Sequence, residues 1–265
     1  MNIPTLLIPE GNLDSLIEEA LKESNEYEGL IFAATLADFS EIYVYDISMA
    51  EPLKIDIRDK YVRSFCYDPV RKIVYDAGDY RTVLNTVERK VIQIDGKPLL
   101  TGSAIFSMVY HQGEIYYAPY SEGIFKLSNK ELIATREHQT IQSLFIFENQ
   151  ICDACRGEFM RFTKTGEKIG QLPYEARYVL GYKDTIYHAG EYGIKDVEKK
   201  VFKKREGATL TLLPFRNKIL DAGAYCSIQD IFTDRIFLPF DRHITAMTSI
   251  PLNMVGEFRE RYENT

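Results

Sequence analysis

A short phrase recurs six times along this chain: an aliphatic residue, usually an aromatic, any residue, then alanine. It reads Ile31-Phe32-Ala33-Ala34, Val74-Tyr75-Asp76-Ala77, Ile115-Tyr116-Tyr117-Ala118, Ile151-Cys152-Asp153-Ala154, Ile186-Tyr187-His188-Ala189 and Ile219-Leu220-Asp221-Ala222. Successive alanines are 43, 41, 36, 35 and 33 residues apart. A period in that range means that one supersecondary unit is stacked repeatedly, and the repeat constrains the fold before any single residue does.

Each unit divides into four short segments. The first alternates and ends in an apolar cluster, as in Val62-Arg63-Ser64-Phe65, Ile105-Phe106-Ser107-Met108 and Ile141-Gln142-Ser143-Leu144. Worn copies read Ala176-Arg177-Tyr178-Val179 and Thr209-Leu210-Thr211-Leu212. A turn such as Asp68-Pro69 or Gln112-Gly113 follows, then the alanine phrase, then a third and a fourth strand. The outer hairpins are visible at Asn129-Lys130, Lys164-Thr165-Gly166 and Thr233-Asp234. β-Branched and aromatic residues dominate all four segments, as strands require. No segment keeps a helical period, which excludes helical and leucine-rich repeats.

Four antiparallel strands per unit of roughly 40 residues is the composition of a β-propeller blade. The alanine lets neighbouring sheets approach near the hub. Two stacked β-sandwiches give no reason for six copies. The layout resembles the β-propeller repeat proteins over residues 30–250, carried by the alanine phrase and the Val/Ile-x-Ser strand. The chain contains no tryptophan, so the Trp-Asp pair of WD40 repeats is missing, and so are the paired glycines of kelch repeats. The resemblance implies a rigid disc with a central channel, used for scaffolding or for catalysis.

The first phrase has no inner strand before it. Residues 11–26 read instead as a helix, with Leu13, Leu16, Ile17, Ala20 and Leu21 on one face. The missing strand lies at the other end, where Ile244-Thr245-Ala246-Met247 matches Val62-Arg63-Ser64-Phe65. The expectation is an N-terminal extension over 1–29 and one all-β propeller domain over 30–265. Six four-stranded antiparallel blades would be closed by a C-terminal strand near 244–250. A seventh blade is the competing count: Met254-Val255-Gly256-Glu257-Phe258 is spaced as a worn alanine phrase, and residues 3–8 are an unassigned strand-like stretch.

A net charge of −7 argues against nucleic-acid or anionic-membrane binding. The single basic run, Lys199-Lys200 with Lys203-Lys204-Arg205, reads as the solvated edge of a strand. No segment has the length of a membrane-spanning helix, and no signal-peptide pattern opens the chain. The expected setting is therefore cytoplasmic, with four cysteines kept reduced and the chain monomeric.

Two groups of candidate site residues emerge. The turn after each alanine carries Gly78-Asp79-Tyr80, Pro119-Tyr120, Arg156-Gly157, Gly190-Glu191-Tyr192 and Gly223-Ala224-Tyr225. Asp79, Tyr80, Tyr120, Arg156, Glu191, Tyr192 and Tyr225 are thus candidates for a ligand- or partner-binding ring at the channel mouth. The alternative places these tyrosines between blades. One residue before each alanine stand Ala33, Asp76, Tyr117, Asp153, His188 and Asp221. As a catalytic set, Asp76, Asp153, His188 and Asp221 would serve a hydrolase or lyase. As a structural set they would hydrogen bond across the seams between blades. Cys152-x-x-Cys155 lies on one strand, where the two thiols face opposite sides, and no second pair completes a zinc site. No metal or cofactor is expected, and no nucleotide-binding glycine motif is present. The preferred reading is a non-catalytic interaction module that offers its channel face to a protein or a small molecule.

Overall fold

In the computed structural model, residues 28–36, 38–136, 139–196 and 202–262 are described. The helix expected over 11–26, the stretch 3–8 and Lys199-Lys200 lie outside them. The described residues form six four-stranded antiparallel sheets and one small hairpin, Gln93–Ile94 with Lys97–Pro98. Blade 2 runs Val62–Asp68, Ile73–Gly78, Val83–Asn85 and Lys90–Val91. Blade 3 begins at Ile105–His111, blade 4 at Ile141–Phe147, blade 5 at Ala176–Tyr182 and blade 6 at Thr209–Phe215. Those first strands pack on one another in sequence, and the last of the cycle, His243–Pro251, packs on both Thr209–Phe215 and Val62–Asp68. The cycle is closed.

Closure uses both parts of the chain, as the sequence implies. His243–Pro251 pairs antiparallel with Glu28–Leu36, which continues to Phe39–Tyr45 and Leu53–Arg58 to complete blade 1. This pairs the inner edge of Glu28–Leu36.

The register corrects the first copy of the repeat by one residue. In blades 2 to 6 the phrase alanine pairs with the third residue of the inner strand: Ala77 with Ser64, Ala118 with Ser107, Ala154 with Ser143, Ala189 with Tyr178, Ala222 with Thr211. In blade 1 it is Ala33, not Ala34, that pairs with Ala246. The true first copy is therefore Leu30-Ile31-Phe32-Ala33, and Phe32 holds the position of Asp76. Two adjacent alanines hid the frame, which only the pairing with the C-terminal strand resolves.

The seventh-blade alternative is also corrected. Met254-Val255-Gly256-Glu257-Phe258 belongs to a helix, Leu252–Tyr262, with Arg259 and Arg261 in its last turn, where cations suit the helix dipole. Met254, Val255 and Phe258 are buried against Ile31, Ile42 and Val44 of blade 1 and Phe65 of blade 2. Gly29 makes room for this helix: a Cβ there would stand 2.1 Å from Val255 Cγ2.

The core is a set of seams between blades rather than one central mass. Along the second strand of blade 2, Val74 packs toward blade 1, while Tyr75 and Ala77 pack toward blade 3. The residue before the alanine thus always faces the preceding blade. Near the channel the seams are stitched by hydroxyls. Ser64 Oγ accepts from the Met108 backbone N–H (3.0 Å), Ser107 Oγ from that of Leu144 (2.9 Å), and Ser143 Oγ donates to the Val179 carbonyl (3.1 Å).

Candidate functional site

The four residues Asp76, Asp153, His188 and Asp221 sit in four different seams. Asp76 is fully buried and accepts from Arg58 Nε (3.0 Å) and Nη2 (2.9 Å), with the Tyr80 hydroxyl on the same carboxylate. Arg58 ends the outer strand of blade 1. Asp153 repeats the pattern with Arg136 Nε (3.0 Å) and Nη2 (2.7 Å), the arginine following the outer strand of blade 3, and with Thr163 Oγ1 (3.0 Å). Asp221 does so with Arg205 Nε and Nη2 (both 2.8 Å) and the Tyr225 hydroxyl. Each fork-to-carboxylate pair clamps one blade to the next. The Arg205 side chain is only 6 % exposed, which corrects the expectation of a solvated basic edge at that residue. Its length lets it fold back into the seam and reach a buried carboxylate.

The other three seams carry rings at the same position. Tyr117 stacks on Phe125 with centroids 5.5 Å apart, and its buried hydroxyl has no hydrogen-bond partner among the described residues. Phe32 stacks on Tyr43 (5.4 Å) and meets the edge of Phe240 (5.2 Å). His188 is bonded through Nδ1 to the Tyr192 hydroxyl. Clamped and aromatic seams alternate around the disc.

Burial, helped by nearby Lys195, lowers the His188 pKa from 6.5 to about 4. The neutral imidazole is the native form, so the unfolded chain binds more protons between those two values. Stability is complete above pH 6.5 and falls as pH drops toward 4, by up to about 3 kcal/mol. Thermal melts across pH 7 to 4 should show this slope, and the variant His188→Gln should flatten it.

The channel mouth is built differently. In every blade the inner strand bulges: Val62 pairs with Gly78 and Ser64 with Ala77, leaving Arg63 extra. The corresponding extra residues are Phe106, Gln142, Arg177, Leu210 and Thr245. A bulge turns its unpaired side chain away from the ladder. All six of these side chains line one cavity of about 320 Å³, together with Tyr120, Arg156, Tyr178, Glu191 and Ala208. The fold itself delivers one side chain per blade to this mouth.

Of the candidates for a binding ring, Tyr120, Arg156 and Glu191 line this cavity, and Asp79 stands behind Arg63, accepting from its Nε (2.9 Å) and Nη2 (3.0 Å). Tyr80, Tyr192 and Tyr225 lie in the seams described above. The Arg63 guanidinium lies 5.1 Å from the Tyr61 ring and 5.3 Å from that of Phe106, which meets Tyr120 edge-on at 5.1 Å. Arg156 donates through Nε to the Tyr174 carbonyl (3.1 Å) and stacks on that ring at 4.2 Å. Arg177 Nη2 meets Glu191 Oε1 at 2.8 Å.

Tyr178 forms the floor. It stands where blades 2 to 4 have a stitching serine, and it also borders a cavity of about 390 Å³ at the opposite end. That lower cavity is lined by apolar groups such as Phe65, Met108, Leu212, Met247 and Ile250. Burial pushes the Tyr178 hydroxyl up to about 12, with Cys66 adding to the shift. Cys152 and Cys155 are buried free thiols on opposite faces of their strand, raised to about 12 and about 11 by burial.

No protein-family model matches this chain, and no curated protein matches it in sequence. Among solved structures it is similar to the WD40 β-propeller domain of Doa1, with a TM-score of 0.52 at 10 % identity over 78 % of this chain and 76 % of that one. The fold is a β-propeller. A computationally designed protein, Ika8, aligns at a TM-score of 0.49 with 12 % identity over 84 % of this chain and 92 % of its own. Among the described residues of the propeller, no helix is long and apolar enough to cross a membrane.

Sequence reasoning missed Arg63, Phe106, Gln142, Arg177, Leu210 and Thr245. A signal for them exists. In the Val/Ile-x-Ser strands of blades 2 to 4 the flanking positions repeat while x is Arg63, Phe106 or Gln142. In a repeat protein, structure lies where copies agree and individuality where they differ.

Proposed function

We propose that this propeller is an interaction module whose bulge-built mouth receives a segment of a protein partner. The observation that carries the reading is the convergence of six bulge residues of five kinds on one cavity, which exposed Tyr120 also lines and whose Arg156 stacks on exposed Tyr174. Aromatic and arginine side chains are the groups that anchor protein interfaces, because they offer large contact area with directed polar tips. The likeness to a WD40 propeller domain supports a binding role at the level of fold analogy. The buried carboxylates are committed to arginines and do not line the mouth, which favours binding over hydrolase or lyase chemistry there.

Site-specific photo-crosslinking tests the reading. A crosslinking residue placed at Phe106 should capture a partner that the same residue at Phe232, exposed elsewhere on blade 6, does not. Capture should also be lost in the double variant Tyr120→Ala/Arg156→Ala with its melting temperature unchanged. Equal capture from both positions, or none from Phe106, would remove the mouth as the docking face.

A further inference from the structure

The mouth holds three guanidinium groups that are incompletely used. Arg63 spends Nε and Nη2 on Asp79, Arg156 spends Nε on the Tyr174 carbonyl, and Arg177 spends Nη2 on Glu191. Arg63 Nη1, both terminal nitrogens of Arg156, and Nε and Nη1 of Arg177 make no hydrogen bond among the described residues. Such forks match the paired oxygens of a carboxylate or phosphoryl group. The cavity lining itself carries three arginines and one acid, Glu191, in a chain whose net charge is −7. The lining is richer in arginine than the chain as a whole.

The two acids differ. Asp79 holds Arg63 through both oxygens, and its side chain is 25 % exposed. Glu191 makes one contact with Arg177, and its side chain is 57 % exposed. Exposed single-contact pairs of this kind are weak, so the Arg177 partner is exchangeable.

Resting on the interaction-module reading, we infer that the partner segment is an acidic peptide, with an anionic oxygen group seated between Arg156 and Arg177. Glu191 is an internal competitor that occupies Arg177 until the peptide arrives. Tyr174, stacked on Arg156, and Phe106 and Tyr120 in the same cavity lining take an aromatic or aliphatic residue near the acid.

Selection from a random peptide library of about 12 residues on the purified full chain tests this, since short extended peptides are the usual occupants of such grooves. Selected peptides should be enriched in Asp or Glu next to an apolar residue. Their affinity should fall about tenfold or more in Arg177→Ala and in Arg156→Ala, and rise about threefold to tenfold in Glu191→Gln. Exchanging the critical Glu for phosphoserine or for Gln then separates a phosphoryl from a carboxylate ligand, and the Gln peptide should not bind. Neutral or basic selected peptides, no enrichment at all, or weaker binding by Glu191→Gln would overturn the inference. If non-acidic peptides nevertheless crosslink at Phe106, the acidic partner falls while the docking face stands. If selected peptides crosslink only elsewhere, both fall.

Discussion

Replacing Arg58 by leucine is expected to destabilise the protein by about 3–5 kcal/mol, because it strands the Asp76 carboxylate without its counter-charge in a dry seam. Asp76 is fully buried, and the Arg58 side chain is only 7 % exposed. Leucine cannot replace the two N–H groups that Asp76 accepts, and Asp56, also bonded by Arg58, keeps its contact to Arg89 (3.1 Å) and the Ile57 backbone N–H (2.8 Å). Urea unfolding of Arg58→Leu, Asp76→Leu and the double variant forms a complete cycle. The double variant should recover much of the loss, since removing both charges removes the cost of burying one alone. A double variant as unstable as the sum of the singles would mean that the pair is not the clamp.

The second large effect belongs to an aromatic seam. Phe32→Ala should cost about 3–5 kcal/mol, the usual range for truncating a buried phenylalanine. Phe32 is fully buried between Tyr43 and Phe240, at the seam where blade 6 meets blade 1. Tyr43 is held by its own strand and Phe240 by its N–H bond to the Cys226 carbonyl (3.1 Å), so neither ring can collapse into the gap. Phe32→Leu, which keeps much of the volume, should lose far less under the same urea titration. If the two variants lose equally, ring stacking and not packing volume holds the seam.

Phe32 also shows what the sequence conceals. Six blades, their four strands and the borrowed C-terminal strand were legible, because repeated alternation and turn chemistry are local signals. The frame of the first copy was not, since Ala33 and Ala34 satisfy the phrase equally well and only a partner 213 positions away along the chain, Ala246, selects between them. Met254–Phe258 misled for another reason: a run of five residues with three apolar members fits a strand or a helix, and packing decides. The seam position was legible as a position but not in its partners. Arg58, Arg136 and Arg205 lie 18, 17 and 16 residues before the aspartates they hold. No motif connects them; the turn of the chain from one blade to the next does. The mouth was half legible. Tyr120, Arg156 and Glu191 follow the alanine phrase, whereas the bulge residues precede it on strands whose alternation hides the extra residue.

The alternation of seams has a mechanical consequence. Arginine forks couple blades 1–2, 3–4 and 5–6, and the joints between those couples are filled instead by Tyr117, His188 and Phe32. A directed fork cannot slide without losing its ion pair, whereas Tyr117 and His188 meet rings of their own blade, so their joints rest on apolar packing and on the Ser64 and Ser143 hydrogen bonds. Separation of blades is therefore expected to begin between couples rather than within them.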